Sequence, residues 1–357
     1  MTSAIQFRSR AEIDRNEWNA FVDGNDEAWL WHRSEFIDAR SLWSATSDVS
    51  FGALNARNVL LAVVPLYIIR GFRYAPTHSE TPKWLLCNGG PAVTGAQRPN
   101  LRRKVLATLA AHLPELIAEH NARYLEAWIP AQAPFLHGPA APRANPLYHL
   151  GFENTSGATW MIDLAPMAEE IRRRYSEMTR RHLKKANRAS FTLREAAGSR
   201  DLETYYDLHL ETVRRLESEP EPFEFFQAIF ERMLPQKFAR IVFFEQGGRV
   251  TAANNTALYK HGAYYWTGAS LTDKHDYEGR VLFDDQIVHA RKSGCMQFEA
   301  GQAYVSGEYA PLIRGTSDFK RSFGSELVTW HRGRIRAAES KPQATALRRL
   351  LFRVMGR

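Results

Sequence analysis

The sequence predicts an α/β (α+β) protein of two domains, each a mixed, largely antiparallel sheet flanked by helices. Its 357 residues exceed one domain of average size and suit two. Residues 241–244, 249–259 and 263–269 are rich in β-branched and aromatic residues, and short Gly-containing turns separate them. This pattern is typical of consecutive antiparallel strands. A series of strands, a helix and a further strand is predicted in each half.

The first half of the chain begins with short elements. Ser34 is a plausible N-cap for the second helix. The predicted strands cover residues 5–11, 51–54, 59–69, 84–87 and 124–129, and the predicted helices cover residues 15–22, the segment after Ser34, and residues 101–120. The Pro- and Ala-rich segment 132–146 predicts a linker or surface loop. The first domain is therefore placed at residues 1–150.

The second domain is placed at residues 151–330. Its elements are a strand over residues 159–164, a long helix from Pro166, helices over 201–216 and 223–233, the three strands above, a helix over 280–293 and a strand over 296–300. Residues 331–357 form a basic tail, in which residues 343–354 predict an amphipathic helix. That helix either packs on its own domain or makes peripheral contact with an anionic membrane.

Composition restricts the class of protein. A formal net charge of +8 suits an anionic partner such as nucleic acid, a phosphorylated precursor, coenzyme A or a membrane face, although a basic surface alone gives the same charge. Two cysteines fit neither a disulfide framework nor a metal site. The amino terminus lacks an apolar signal region, and the longest apolar run, residues 59–69, is too short to span a bilayer. A cytoplasmic location is expected.

A run of basic residues marks the helix predicted after Pro166. Eight Lys and Arg residues stand between Arg172 and Arg188, against the single acid Glu177. Such a helix either contacts several phosphates or presents a solvated face. The candidates for such phosphate contacts are Arg180, Arg181, Lys184 and Lys185.

Several common catalytic motifs are missing from the sequence. It contains no G-x-S-x-G, H-E-x-x-H or C-x-x-C motif and no Walker-type P-loop. Covalent serine catalysis, zinc chemistry and ATP-driven ligation therefore lack their usual residues. No metal site is predicted.

The segment 315–327, GTSDFKRSFGSEL, carries a family resemblance. Its Phe319-Lys320 and Phe323-Gly324 pairs resemble the end of the second domain in FemAB-like proteins, the peptidoglycan interpeptide bridge-type acyltransferases of the Gcn5-related N-acyltransferase (GNAT) superfamily. The resemblance covers roughly residues 5–330 and implies two tandem Gcn5-related N-acyltransferase-like domains. The superfamily's glycine-rich turn before the central helix is reduced here to Gly279 alone, and the long coiled-coil arm of some FemAB proteins is absent.

The resemblance implies an enzyme that forms an amide bond. An activated group, from aminoacyl-tRNA or from acyl-CoA, would pass to an amine on a small molecule or a peptidoglycan-type precursor, with no tightly bound cofactor. Relatives act in cell-envelope, exopolysaccharide and natural-product synthesis. The rival interpretation is a non-catalytic RNA- or membrane-binding protein on a degenerate transferase fold. The sequence leaves the oligomeric state open.

Acyl transfer requires charge stabilisation, proton removal and positioning of two substrates. Lys320 is the predicted stabilising cation. Tyr265 is a further catalytic candidate, because it lies on the strand that the resemblance places beside the cleft. Glu299 is the predicted proton acceptor, with Asp284 and Asp285 as alternatives. The residues proposed to contact substrate around the late loop are Tyr304, Arg314 and Phe319.

Overall fold

Three sheets organise the part of the chain that the structure describes. The computed structural model describes residues 5–43, 45–70, 83–95, 98–304 and 311–337. A four-stranded and a six-stranded sheet form the first unit, and a seven-stranded sheet forms the second. Helices flank these sheets, so the predicted α/β class is confirmed.

The first unit packs one long helix and two short ones against its strands. The strands are β1 (Gln6–Ser9), β2 (Thr46–Asp48), β3 (Phe51–Leu54), β4 (Leu60–Val64), β5 (Leu66–Arg70), β6 (Lys83–Asn88), β7 (Ala92–Val93), β8 (Tyr124–Trp128) and β9 (Glu153–Asn154). The helices are α1 (Arg15–Asp23), α2 (Ser34–Arg40) and α3 (Pro99–Glu119). Helix α3 buries Val105, Leu109 and Leu113 against Leu85 and Leu125 of the six-stranded sheet. Because these helix residues recur at intervals of four, one helix face covers one sheet face.

The strand predicted over residues 59–69 is two strands in two different sheets. Pro65 separates β4, which belongs to the four-stranded sheet, from β5, which belongs to the six-stranded sheet. Proline has no N–H to donate to a ladder, so the chain changes sheets where it stands. The Ser50 hydroxyl accepts a hydrogen bond from Leu66 N at 3.0 Å just after the break.

The predicted capping role of Ser34 is wrong. Ser34 is the first residue of α2, and Arg33 occupies the cap position. The Asn19 side chain, on α1, accepts a hydrogen bond from Ser34 N at 3.0 Å. The first turn of α2 is therefore satisfied from a neighbouring helix, which the local sequence does not reveal.

The second unit contains the predicted antiparallel strands. Its strands are β10 (Gly157–Asp163), β11 (Thr192–Glu195), β12 (Ala239–Gln246), β13 (Arg249–Tyr259), β14 (Gly262–Ser270), β15 (Gln297–Ala303) and β16 (Glu326–Trp330). Its helices are α4 (Ala168–Arg173), α5 (Glu177–Ala186), α6 (Ser199–Arg215), α7 (Phe223–Ala228), α8 (Glu278–Lys292) and α9 (Pro311–Arg321). The strand order is β11-β12-β13-β14-β15-β10-β16. The predicted succession of β12, β13 and β14 is confirmed.

The long helix predicted from Pro166 is divided into α4 and α5. Ser176 ends the interruption as the N-cap of α5, and its hydroxyl accepts a hydrogen bond from Thr179 N at 3.2 Å. The buried Tyr175 ring packs at the corner against Phe323, with 5.1 Å between ring centroids. The cap and the buried aromatic ring both stabilise this corner.

The chain returns to the first unit at its carboxyl end. Strand β17 (Arg332–Arg336) lies between β8 and β9, and pairs Arg332 with Trp128 in the six-stranded sheet. The tail predicted from residue 331 therefore begins as a strand of the first unit. The amphipathic helix predicted over residues 343–354 lies outside the described residues.

Polar and aromatic contacts fix the turn between β13 and β14 against the first unit. The Trp29 indole donates to Tyr259 O at 3.1 Å. The Lys260 ammonium donates to main-chain carbonyls at the end of α1 and in the loop after it, at 3.0 Å for Val22 and 2.8 Å for Ala28. Burial lowers the pKa of Lys260 to about 8. Strand β14 consequently begins at a fixed position relative to the first unit.

Candidate functional site

Strands β14 and β15 separate along their length. They run parallel and pair only where residues 262–264 face residues 297–299. Strand β14 also bulges, because Thr256 pairs with Tyr265 and Asn255 with Thr267, which leaves Trp266 without a partner on β13. An opening bordered by residues 265–270 and 300–303 results.

Lys320 lies at this opening, near the end of α9. Its side chain is 9% exposed. A Cβ added to Gly301 would stand 2.9 Å from the Lys320 Nζ, and Gly301 has a φ of +98°. Only glycine suits both that backbone conformation and the close approach of the ammonium. Because Gly301 has no side chain, the Lys320 ammonium can approach strand β15 at that position.

Glu299 is the buried carboxylate whose charge raises the pKa of Lys320 against the effect of burial. The carboxylate is buried and accepts a hydrogen bond from Thr159 Oγ1, on β10, at 2.7 Å. Burial raises the pKa of Glu299 to about 7, against the opposing effects of the Thr159 hydrogen bond and the Lys320 charge. Burial likewise lowers the pKa of Lys320 to about 8, against the charge of Glu299. Both groups therefore change protonation near neutral pH.

The side of the sheet that carries Glu299 faces the first unit. Glu299 stands opposite Tyr264 in the β14–β15 register, and facing residues point to the same side of a sheet. The Tyr264 ring contacts Trp31 of the first unit, with 5.7 Å between ring centroids. A substrate that enters between the two units would reach Glu299 from that side.

Helix α9, which the sequence analysis did not predict, positions Lys320. Its buried Ser317 accepts hydrogen bonds from Trp160 Nε1 at 2.9 Å and from Tyr304 N at 3.3 Å. Phe319 packs on Phe283, with 5.4 Å between ring centroids. These contacts attach α9 to strands β10 and β15 and to helix α8. The contacts of Ser317 and Phe319 therefore fix the position of Lys320 on the same helix.

The remaining candidates around α9 have different surroundings. Phe319 belongs to the hydrophobic cluster under α8, and the Tyr304 hydroxyl donates to Gln302 Oε1 at 3.3 Å. Arg314 lies on the exposed side of α9. The substrate-binding roles of Tyr304, Arg314 and Phe319 stay predictions.

Tyr265 lies on the opposite side of the sheet from Glu299. Its ring contacts Phe283 of α8, with 5.0 Å between centroids, and its hydroxyl lies under Gly268, where a Cβ would stand 2.1 Å from it. Burial raises the pKa of Tyr265 to about 12, so the phenol stays protonated at neutral pH. The structure does not bring Tyr265 and Glu299 to one face, and the catalytic role of Tyr265 stays a prediction.

The two aspartates considered as proton acceptors are held in ion pairs. Asp284 binds the Arg172 guanidinium at 3.0 and 2.6 Å and accepts the Tyr175 hydroxyl at 2.9 Å. Asp285 binds Arg240 at 2.6 Å. Both carboxylates are therefore engaged in structural ion pairs, and the role of Glu299 as proton acceptor stays a prediction.

The amino terminus of α8 contains a carboxylate of its own. Glu278 is 1% exposed, and its two oxygens accept hydrogen bonds from His275 N at 2.7 Å and from Thr251 Oγ1 at 2.6 Å. A helix amino terminus of this kind attracts an anion. In this protein the buried Glu278 carboxylate occupies that position.

All four predicted phosphate-binding residues are exposed on α5. Arg181, Lys184 and Lys185 are exposed, and within the described residues none of them forms an ion pair with a carboxylate. The Lys185 ammonium lies 5.8 Å from the ring centroid of Tyr277. Arg180 differs, because its guanidinium donates to the carbonyls of Arg173, at 3.1 Å, and of Tyr175, and so closes the α4–α5 corner.

Thr159, Gly301, Ser317 and Glu278 are site residues that sequence reasoning missed. Thr159 meets Glu299 through the pairing of β10 with β15, across 140 residues of chain. No local sequence pattern predicts the contact between Thr159 and Glu299. Gly301 carried a usable signal, because a glycine directly after a predicted strand indicates a close approach of another group.

The described part of the chain contains neither a metal-binding cluster nor a membrane-spanning helix. There, no group of three or more His, Cys, Asp and Glu side chains is arranged to hold a metal ion. Within the same residues no helix has the length and apolar character needed to cross a membrane.

Comparisons with known proteins agree with this architecture. Residues 172–321 match the family model described as an acetyltransferase (GNAT) domain. A search of curated proteins gave no significant match. Similar solved structures include FemX, with a TM-score of 0.66, 12% identity and coverage of 91% of this chain and 96% of FemX. L-PGS from Bacillus licheniformis gives a TM-score of 0.57 and 13% identity, with coverage of 96% and 98%.

A third similar structure is a tandem GNAT protein from the clavulanic acid biosynthesis pathway. It gives a TM-score of 0.52 at 13% identity, and the likeness covers 95% of this chain and all of that one. Identities this low show the fold. The predicted tandem Gcn5-related fold is confirmed, and the resemblance to FemAB-like acyltransferases is supported with it.

Proposed function

We propose that this acyltransferase-fold protein forms an amide bond by passing an activated aminoacyl group to an amine at the opening between β14 and β15. The observation that carries the proposal is the buried pair of Lys320 and Glu299, whose pKa values of about 8 and about 7 lie near neutral pH. A general base is most effective when its pKa lies near the operating pH. No other described carboxylate lies in this position beside Lys320.

The proposed reaction is an aminolysis. The acceptor nitrogen attacks the carbonyl carbon of the donor ester and forms a C–N bond. The attacking nitrogen, now positively charged, loses a proton to the Glu299 carboxylate. The Lys320 ammonium stabilises the negative charge that develops on the carbonyl oxygen. As the tetrahedral intermediate collapses, the C–O bond breaks and the leaving oxygen takes a proton from Lys320. Glu299 and Lys320 then exchange a proton, which restores both groups.

Aminoacyl-tRNA suits the charges of this protein better as donor than acyl-CoA does. The amino terminus of α8, where a GNAT fold would place the pyrophosphate of coenzyme A, contains the buried Glu278 carboxylate, which would repel it. In contrast, the exposed cations of α5 lie on the same unit and have no carboxylate partners among the described residues. Several exposed cations on one helix fit a polyphosphate backbone.

Acyl-CoA is the second candidate donor. The structure of the tandem GNAT protein that this chain resembles is described as being without AcCoA, so it names that thioester but does not show it bound. The acceptor is proposed to be an amine-bearing small molecule or a peptidoglycan-type precursor, as the resemblance to FemAB-like enzymes implies.

A direct comparison of donors tests the proposal. Purified full-length protein is incubated with a pool of charged tRNA or with acetyl-CoA, together with amine acceptors, and mass spectrometry detects acylated products. Binding of each donor is measured separately by filter retention and by calorimetry. We expect transfer from tRNA and no heat of binding with acetyl-CoA. Transfer from acetyl-CoA would overturn the donor assignment, whereas RNA binding without any transfer would favour the non-catalytic alternative.

A further inference from the structure

A groove on the second unit runs between α6 and α7. One wall is the first turn of α6, and the other is α7 with the helical turn Ile229–Met233 that continues it. The groove has a volume of about 520 Å³, which lies in the range of binding clefts. We call it the α6–α7 groove and define it by six of its lining residues: Leu202, Glu203, Phe223, Phe230, Glu231 and Leu234.

The base of the groove is apolar and only partly covered. Leu202 is buried, whereas Phe223, Phe230 and Leu234 are half-buried. All four pack in or against the hydrophobic cluster that joins these helices to the seven-stranded sheet. Half-exposed apolar side chains in a concave site favour an apolar partner, because covering them removes apolar surface from water.

Carboxylates stand on both walls of the groove. Glu203 of α6 and Glu231 of the turn after α7 are exposed, and neither forms an ion pair within the described residues. The adjacent Arg232 points toward Asp38 of α2, at 3.6 Å. Over residues 199–238, nine Asp and Glu residues stand against five Lys and Arg residues, so the groove attracts a cationic partner.

The helix predicted over residues 343–354, here called the tail helix, matches the groove in both respects. Its branched apolar residues follow the spacing i, i+3, i+4, i+7 and share one face: Leu347, Leu350, Leu351 and Val354. Its charged residues are all basic: Arg348, Arg349 and Arg353. An apolar face with flanking cations complements an apolar groove with an acidic rim.

The last described residue lies at an edge of the six-stranded sheet that leads toward α7. Ala337 N donates to Arg123 O at 3.2 Å, and Arg123 N donates to Lys83 O at 2.8 Å. Lys83 pairs with Arg70, whose N donates to Ala45 O at 2.9 Å. These are four steps between neighbouring strands, and at about 4.8 Å each they cover roughly 19 Å.

The chain after Ala337 is long enough to reach the groove. Close to Ala45, the Trp43 ring contacts the Phe225 ring of α7, with 5.7 Å between centroids. Residues 338–342 span up to about 17 Å when extended, and the tail helix would be about 18 Å long. Together these lengths exceed the path along the sheet edge to α7.

We propose that the tail helix of this chain docks in the α6–α7 groove. Its apolar face covers Phe223 and Phe230, and its arginines lie beside Glu203 and Glu231. The proposal does not depend on the proposed acyl transfer, because the groove contains neither Lys320 nor Glu299. It chooses between the two positions that the sequence allows for this segment, the protein's own surface and an anionic membrane.

Hydroxyl-radical labelling of the full-length protein tests which segment covers the groove. Ring oxidation follows solvent access, and mass spectrometry measures it separately at Phe223 and Phe230. The double variant Leu350→Glu, Leu351→Glu changes the apolar face of the tail helix and no described residue. We expect both rings to lose protection in this variant, whereas Tyr148, 51% exposed on the first unit, is labelled equally in both proteins. Equal labelling of Phe223 and Phe230 in the two proteins overturns the proposal.

An exchange of charges tests the contact between the tail helix and the rim. In the full-length variant Glu203→Arg, Glu231→Arg, the rim repels the arginines of the tail helix. We expect amide hydrogen exchange in residues 343–354 to become about fivefold or more faster, since two attractive charge pairs become repulsive. Adding Arg348→Glu and Arg349→Glu restores opposite charges and should restore slow exchange, after correction for the intrinsic rates of the new sequence.

A matched control makes the same change of net charge on α3. Glu115 and Glu119 are exposed on the first unit, and Glu115→Arg, Glu119→Arg should leave exchange in residues 343–354 unchanged. An equal effect of the control, or no recovery in the charge-exchanged variant, contradicts the proposal. Exchange at the amides of α6 and α7 shows whether a rim variant disturbs the groove itself. If it does, the labelling of the Leu350→Glu, Leu351→Glu variant decides, because its groove is unchanged.

Sedimentation with vesicles of phosphatidylglycerol and phosphatidylcholine tests the membrane alternative. A docked tail helix has its apolar face covered, so we expect the full-length protein and the Leu350→Glu, Leu351→Glu variant to sediment equally. Sedimentation that this variant abolishes, together with equal labelling of Phe223 and Phe230, would assign the tail helix to a membrane surface and overturn the proposal.

Discussion

Lys320 and Glu299 are two ionisable groups of opposite charge in one buried region, and burial moves their pKa values toward each other. Burial disfavours the charged form of each, so the pKa of Lys320 falls to about 8 and that of Glu299 rises to about 7. A cation and a carboxylate that both titrate near neutrality can exchange protons with a bound substrate. That property separates this pair from Asp284 and Asp285, whose arginine partners occupy them.

Lys320→Met tests the residue-scale assignment. The substitution keeps the length of the side chain and removes the ammonium, which is needed mainly in the transition state. We expect kcat to fall roughly 100-fold, by comparison with the loss of an oxyanion donor, with little change in KM. Single-turnover transfer from aminoacyl-tRNA is the assay. Lys320→Arg should recover only part of the rate, since a planar guanidinium does not fit beside Gly301 in the same way. Near-normal turnover of Lys320→Met would show that the lysine is not catalytic.

The pH dependence of kcat provides a second test. Glu299 must be deprotonated to accept a proton, so the rate rises as pH increases through about 7. Lys320 must be protonated to stabilise the oxyanion, so the rate falls as pH increases through about 8. We therefore expect kcat to follow a narrow bell-shaped pH profile, with its maximum between these two pKa values. Glu299→Gln should remove the acidic limb and most of the rate; an unchanged profile in that variant would exclude Glu299 as the base.

At the scale of elements, the sequence predicted those strands and helices that short-range interactions determine. The β12–β13–β14 succession and helix α8 follow from periodicity and short turns, and the structure contains both. Pro65 divides one predicted strand, and the Ser176 cap divides one predicted helix, because single residues there outweigh the apolar pattern around them. The contact of Thr159 with Glu299 and the placement of β17 depend on pairing across more than 100 residues, which periodicity does not encode.

The exposed face of α5 is an element with a testable charge. Replacing Arg181, Lys184 and Lys185 together by Gln removes three cations that have no carboxylate partner among the described residues. We expect weaker tRNA binding and a shallower dependence of log K on log salt, by roughly two to three units of slope. Filter binding at several salt concentrations measures both quantities.

The control for α5 changes the same net charge elsewhere. Arg57, Arg98 and Arg103 are exposed on the first unit, and their combined replacement by Gln should leave the salt slope nearly unchanged. Arg180 is left intact in the α5 variant, because it closes the α4–α5 corner through main-chain carbonyls. Equal slopes for the two triple variants would show that α5 is only a solvated face.

At the scale of the whole molecule, the two units are joined more than once. Lys260 and Tyr259 attach the β13–β14 turn to the first unit, and β17 returns from the second unit to the six-stranded sheet. The reaction opening therefore keeps a fixed position relative to the first unit. An acceptor that contacts both units requires such a position, since reacting groups must be held in near-attack geometry.

Truncation at two positions tests whether β17 belongs to the folded body. A chain that ends at Trp330 loses β17, which exposes the edge of β8 and leaves the buried Glu126 carboxylate without Arg332 and Arg334. A buried charge that loses its partners destabilises a protein by about 3–5 kcal/mol. We expect the melting temperature to fall by roughly 10 °C. A chain that ends at Ala337 keeps β17, so the difference in melting temperature between the two truncated chains reports on β17. Circular dichroism on both truncated chains and the full chain gives the comparison. If the chain ending at Trp330 melts like the chain ending at Ala337, β17 adds little to the stability of the first unit.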